Sequence, residues 1–239
     1  MPRLAVREFN NSIVHTETAS SGIQTATSLE LSTNDWAASF WVNYIALSTT
    51  DTVLYVDGGT GTYHDLIFFH NADDVIKSNA GGAAVNFNTK IDAIRNRWTH
   101  LLMTYDQSAT ELSLYVNSAL DESKTLTVGA ANGNLYLGAR DTGSLPMGGF
   151  LTNFLFFTEH FDATKVSDLY YSQAYDRTNL DTELLFSEGS GVSIADTSGN
   201  GNNATIDGGL AWSSARPFAA RTAITQARTA ITQARTAVS

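Results

Sequence analysis

Short apolar runs with a period of two, each closed by turn-forming residues, set the strongest constraint on what this chain folds into. Glu111-Leu112-Ser113-Leu114-Tyr115-Val116 alternates polar and apolar side chains, as a strand with one buried face does. Ala38 to Ala46, Thr52 to Val56, His64 to Phe69, Arg97 to Tyr105, Asn134 to Gly138 and Phe150 to Phe157 are rich in Thr, Val, Ile, Leu, Phe and Tyr. Gly, Asn, Asp and Ser separate them, as at Asp57-Gly58-Gly59. These runs predict about a dozen strands. One segment reads differently. From Asp162 to Ser172, Val166, Leu169 and Tyr170 fall at i, i+3 and i+4, and Asp162 is placed to cap a helix N-terminus. The expectation is an all-β chain of two antiparallel sheets with one short surface helix.

The 239 residues are enough to bury a core without covalent staples, so the absence of cysteine is no handicap. It leaves the redox compartment open and excludes zinc-finger-type sites. Met1 to Glu8 has no long apolar stretch and does not read as a signal peptide. No run approaches the length of a membrane span, which predicts a soluble protein with no membrane partner. Release by lysis, as part of a virus particle, is one route outside the cell without export.

Charge is unevenly placed. The chain has a net charge of −10, yet Arg216, Arg221, Arg228 and Arg235 all follow Asp207, the last acidic residue. The first 215 residues therefore carry 10 basic and 24 acidic groups, a balance of −14. An acidic body disfavours nucleic acid as a partner. A basic tail on such a body favours self-association or docking on an acidic partner.

That tail repeats with period seven: Arg221 to Ala227, Arg228 to Ala234, then Arg235 to Ser239. Ile224, Ile231 and Val238 recur at heptad spacing, which could form an a/d seam with Ala227 and Ala234. Threonine is a poor helix former, and an extended strand would flip Ile to the opposite face at each repeat. An arm lying on another subunit, a helical bundle and plain disorder all remain open. The expected division is a domain over residues 1–215 and an extended or helical assembly arm over 216–239, with Arg221, Ile224, Arg228, Ile231, Arg235 and Val238 as its contact residues.

Several segments together resemble the laminin-G-like and pentraxin-like group of concanavalin-A-type jelly rolls. They are Trp36 to Val42, Arg97-Trp98-Thr99-His100 running on to Tyr105-Asp106, Glu111 to Asn117, Leu135 to Gly138, Gly149 to Phe157, and the helix through Tyr170. The resemblance covers residues 5 to 213 and implies a two-sheet jelly-roll sandwich often used to bind carbohydrate. Phe186 to Gly191 and Asp196 to Asn202 resemble segments that open the domain in many relatives. Here they follow the helix, so they are expected to be last strands of the same sandwich in permuted order.

Asp196, Ser198, Asn200 and Asn202 alternate oxygen-bearing side chains around Gly201, and Asp207 stands eleven positions after Asp196. Hard cations take six to eight oxygens and glycine lets such a loop turn, so Ca2+ is one reading of these five residues. Glycine turns whose Asp and Asn side chains bond their own backbone are the other. Thr152 and Asn153 stand where the resemblance implies an additional carboxylate, which weakens the calcium reading.

A second cluster combines Asp57, Tyr63, His64, Asp65, His70, Asn71, Asp73 and Asp74. Sugar sites pair an aromatic face with planar hydrogen-bonding groups. Asp57, Tyr63 and His64, with Arg140 and Asp141 from a later loop, have that chemistry, although solvated loop residues would look the same. His100 and the tryptophans at 36, 41, 98 and 212 read mainly as core. The paired carboxylates of glycoside hydrolysis, the nucleophile elbow, the zinc-protease helix and the phosphate loop are all missing as local motifs, so a non-enzyme is expected.

Two functions follow as expectations. One is a structural decoration protein of a virus or phage particle surface, anchored by its arm to capsid or tail subunits or to itself, and able to adhere to glycans. The other is a free, extracellular lectin-like module that binds cell-surface carbohydrate, with or without calcium.

Overall fold

The computed structural model describes residues 5–6, 11–15, 22–46, 50–57, 63–70, 72–80, 82, 84–140, 144–171, 174–207 and 210–217. In chain order the elements are β1 (Ala5–Val6), β2 (Ser12–His15), β3 (Ile23–Glu30), β4 (Trp36–Ala46), β5 (Thr50–Asp57), β6 (Tyr63–His70), β7 (Val75–Ser78), β8 (Val85–Lys90) and α1 (Ile91–Ile94). There follow β9 (Trp98–Asp106), β10 (Glu111–Val116), β11 (Ala119–Thr125), β12 (Asn132–Leu137), β13 (Gly148–Phe157), α2 (Ala163–Tyr171) and β14 (Ala174–Tyr175). The last are β15 (Leu180–Leu184), β16 (Ser193–Ile194), β17 (Ala204–Ile206) and β18 (Ala211–Ser213).

Two antiparallel sheets face each other as a jelly-roll sandwich. The first has the order β11-β10-β9-β4-β13-β2-β18, with β15 also on β13. The second runs β16-β17-β3-β12-β5-β6-β7-β8. β1 and β14 form a separate two-stranded ladder.

Strand β4 shows why the sheets stack. Trp36, Ala38, Phe40, Val42 and Tyr44 point into the space between the sheets and are buried there with Leu101, Met103 and Tyr105 of β9 and Phe154 and Phe156 of β13. Period two sends every second side chain to one face. Burial of each large apolar side chain contributes about 1.5–3 kcal/mol. Trp36 lies parallel to Phe156 at 6.2 Å between ring centres.

The other face of the first sheet is covered by α2. Ala37, Leu102, Tyr115, Leu155 and Phe157 form a second apolar cluster with Phe161, Val166 and Leu169. As expected, Asp162 caps this helix: its Oδ1 accepts from Lys165 N at 2.9 Å. Beside the cluster, His100 is fully buried, with Nε2 2.8 Å from Ser39 Oγ.

The segment after α2 joins both sheets. β15 and β18 extend the first, while β16 and β17 extend the second beyond β3. One local expectation fails. The strand expected from Phe186 onward does not form, and β15 ends at Leu184, because Phe186 takes a φ of 57° that turns the chain and inserts its ring into the core.

Candidate functional site

Register across the second sheet lines up a row of outward side chains. Thr205 of β17 faces Gln24 of β3, Gln24 faces Tyr136 of β12, Tyr136 faces Tyr55 of β5, and Tyr55 faces Asp65 of β6. The neighbours Ile206, Ile23, Leu135, Leu137 and Val56 are core residues, so the strand period places the row on the opposite face. The row passes from open to covered. Thr205 is exposed, Gln24 and Tyr136 are half-buried, and Tyr55 and Asp65 are buried. The two tyrosine rings lie 5.7 Å apart at 47°. Asn134, two residues from Tyr136 and likewise half-buried, adds an amide to the same strand.

The covered end is fixed by one ion pair. Arg140 Nε donates to Asp65 Oδ1 at 2.7 Å, and its Nη2 donates to Asp65 Oδ2. Thr52 Oγ1 and Asn79 Nδ2 donate to the same carboxylate at 3.1 Å each, and Asn79 Oδ1 accepts from Asp65 N at 2.6 Å. A planar guanidinium matched to both carboxylate oxygens is the strong geometry for such a pair. The loop carrying Arg140 is held by Arg140 N to Ser144 O and by Thr52 N to Leu145 O, each 2.9 Å.

The sequence-predicted ligand residues divide. Asp57 lies on this sheet and Arg140 on the loop after β12. Asp57 lies two residues beyond Tyr55 and is half-buried, with its backbone pressed so closely on Gly133 that a Cβ there would overlap Asp57 O. Tyr63 is the register partner of Asp57, but its side chain lies outside the described residues, as does Asp141. His64 is corrected to a structural role. It is 1% exposed, with Nδ1 3.0 Å from Ala80 O and Nε2 3.2 Å from Ala130 O, so its ring ties three segments together. The arm residues Arg221, Ile224, Arg228, Ile231, Arg235 and Val238 lie outside the described residues.

Sequence reasoning missed Tyr55, Tyr136 and Gln24. The signal was present in the alternation. Tyr136 sits between the core residues Leu135 and Leu137, and Tyr55 beside Val56, so each must face away from the core.

The residues read for calcium form a closed hydrogen-bonded loop. Asp196 Oδ1 accepts from Glu183 N at 2.8 Å and Ser198 N at 2.9 Å. Its Oδ2 accepts from Ser198 Oγ at 2.7 Å and Asn202 N at 2.8 Å. Burial works to raise this pKa, but the hydrogen bonds from Glu183, Ser198 and Asn202 outweigh it and hold the carboxyl below the usual range. Asn200 and Asn202 turn their amide nitrogens to Asp181 O, at 2.9 and 3.0 Å, so they contribute donors. Asp207 does not join them. It stands past Ile206, at the opposite end of the β16–β17 ladder from Asp196, with its N on Gly22 O. This set does not fit a hard cation, which needs converging free oxygens. The backbone-bonded turn is what the segment forms.

The outer face of the first sheet carries a second row: Trp98, Asn43, Phe150 and Val14 on β9, β4, β13 and β2, all half-buried. Trp98 and Phe150 lie 6.1 Å apart. It is more apolar than the row on the second sheet.

Comparison with known proteins agrees with this architecture. Solved structures of the same fold include a carbohydrate-binding candidate from Bacteroides ovatus, with TM-score 0.68 and 16% identity over 87% of this chain and 61% of that one. The chain thus spans under two thirds of that protein's length. The native heptameric SAP-like pentraxin of Limulus polyphemus matches with TM-score 0.59 and 11% identity over 90% of this chain and all, 100%, of that one. Domain 4 of AbnA, an extracellular arabinanase of Geobacillus stearothermophilus in complex with arabinotriose, matches with TM-score 0.54 and 21% identity over 71% and 81%. No curated protein matches significantly. Residues 17–167 match the family model described as the concanavalin A-like lectin/glucanases superfamily. With more than half its length matched and both sheets of the sandwich in place, the chain belongs to the concanavalin A-like lectin/glucanase superfamily.

Proposed function

We propose that this chain is a non-enzymatic carbohydrate-binding module that takes glycan on the outer face of the second sheet. The observation that carries the reading is the row Thr205–Gln24–Tyr136–Tyr55–Asp65. A sugar ring has an apolar face, which stacks on an aromatic ring, and equatorial hydroxyls, which pair with planar amides. Tyr136 supplies the ring, and Gln24 and Asn134 supply amides of both donor and acceptor character. Rigid strands hold all three, which limits the ordering cost on binding.

Two structures of the same fold support the reading by what they are: the Bacteroides ovatus carbohydrate-binding candidate and the arabinotriose-bound arabinanase domain. Two carboxylates of the sheet are structurally committed. Asp65 holds Arg140, and Asp51, fully buried, accepts from Tyr44 OH. Glycoside hydrolysis requires two carboxyl groups flanking the bond. Neither of these is free to take that role, which favours binding over cleavage.

Such a module would work outside the cell, and no helix among the described residues is long and apolar enough to cross a membrane. The particle-surface role expected from the sequence rests on the arm, of which only Arg216 and Pro217 are described. None of the three solved structures named above is a capsid or tail protein, so the glycan-binding reading stands first.

An array of immobilised oligosaccharides probed with the full chain tests it. Binding to a defined subset is expected, and no binding across the array contradicts it.

A further inference from the structure

We infer that the glycan is a neutral one, and that sialylated or uronic-acid-bearing chains are excluded from this face. The inference rests on the glycan-binding reading above and adds the chemical class of ligand. It comes from how charge is distributed over the second sheet.

The described strands of that sheet carry two lysines, Lys77 and Lys90, and the loop after β12 adds Arg140. Arg140 and Lys77 are already paired with carboxylates within the protein, and Lys90 stands on the edge strand β8, away from the row. Arg140 is bidentate on Asp65, whose side chain is 1% exposed. Lys77 bridges to the carboxylate of Asp73, and Lys90 reaches Asp73 O at 3.4 Å. A further base, His70, has Nδ1 3.2 Å from the same Asp73 carboxylate. Against these stand Glu30, Asp51, Asp57 and Asp65 in the strands, with Asp73 and Asp74 in the turn between β6 and β7. Asp57 and Tyr55 share an outward face of β5, so a carboxylate borders the row. The first 215 residues extend the same sign, at a balance of −14.

Anionic sugars need an uncompensated cation at the site, and a guanidinium usually supplies it by bidentate contact with the sugar carboxylate. Here the guanidinium makes that contact with Asp65 instead. Recruiting it would leave the Asp65 carboxylate buried without its partner. A neutral hydroxyl asks for no such exchange. It accepts from and donates to Gln24 and Asn134 as they stand, and the acidic surroundings do not repel it.

The test is titration of the full chain with matched pairs of soluble oligosaccharides. Neutral xylo-, arabino- and galacto-oligosaccharides are set against the same backbones carrying a uronic or sialic acid, at about 20 mM and about 500 mM salt. The expected result is binding of at least one neutral member, at least ~10-fold weaker binding of its acidic counterpart, and an affinity for the neutral sugar that salt leaves unchanged. Tighter binding of the acidic member, weakening as salt rises, overturns the inference while leaving the glycan-binding reading in place. Failure of both series to bind removes that reading and the inference with it.

Discussion

Arg140 grips both oxygens of a carboxylate, Asp65, that sits on β6 of the second sheet with 1% of its side chain exposed. The pair joins the loop after β12 to strand β6, 75 residues away in sequence, and closes one end of the row that begins at Thr205. The loop and the row are therefore one mechanical unit.

Removing the cation should be costly. Arg140→Ala leaves Asp65 buried with only the neutral donors Thr52 and Asn79, and should destabilise the chain by roughly 3 kcal/mol in urea unfolding. Replacing both partners by leucine should cost less than Arg140→Ala alone, because no charge is then stranded. Equal stability of Arg140→Ala and wild type would show that the pair contributes nothing.

The Asp196 turn should stand without metal. Addition of a strong chelator is expected to leave Tm unchanged, since the carboxylate already accepts four protein hydrogen bonds. Asp196→Ala should lower stability by about 2 kcal/mol, because three backbone N–H groups lose their acceptor. A chelator-dependent fall in Tm would restore the calcium reading.

His15 gives the fold an acid sensitivity. It projects between the sheets, 2% exposed, with neither ring nitrogen hydrogen-bonded. Its ring fills the space beside Gly138, where φ is 77° and any Cβ would collide with it. Burial pushes its pKa down from 6.5 to about 3. Above pH 6.5 neither the folded nor the unfolded chain binds this proton. As pH falls from there towards 3, only the unfolded chain takes it up, and stability drops by about 1.4 kcal/mol per pH unit. Between pH 8 and pH 5 wild type should lose about 2 kcal/mol more than His15→Leu. Superimposable pH profiles would contradict this assignment.

Much of the secondary structure was legible because it is local. The alternation of Glu111 to Val116 is strand β10 to the residue, and Asp162 caps the helix as its spacing implied. The site was much less legible because register makes it. Gln24, Tyr136 and Tyr55 are scattered over more than a hundred residues and become neighbours only through long-range pairing, which no local pattern encodes. His64 misled for a related reason. Its chemistry suits a ligand site, but the strand turns it towards Ala80 and Ala130. The Asp196 loop was ambiguous in sequence because an Asx-bonded turn and a calcium loop use the same residue types, and the direction of the amide groups separates them.

The most direct measurement compares Tyr136→Ala with Trp98→Ala by calorimetric titration against whichever neutral oligosaccharide binds the full chain. Tyr136 is the accessible ring of the polar row, and Trp98 lies on the outer face of the opposite sheet. Loss of one stacking ring should weaken binding at least ~10-fold in Tyr136→Ala, with Trp98→Ala unchanged. Unaltered affinity in Tyr136→Ala, or a loss confined to Trp98→Ala, would contradict the placement of glycan on the second sheet.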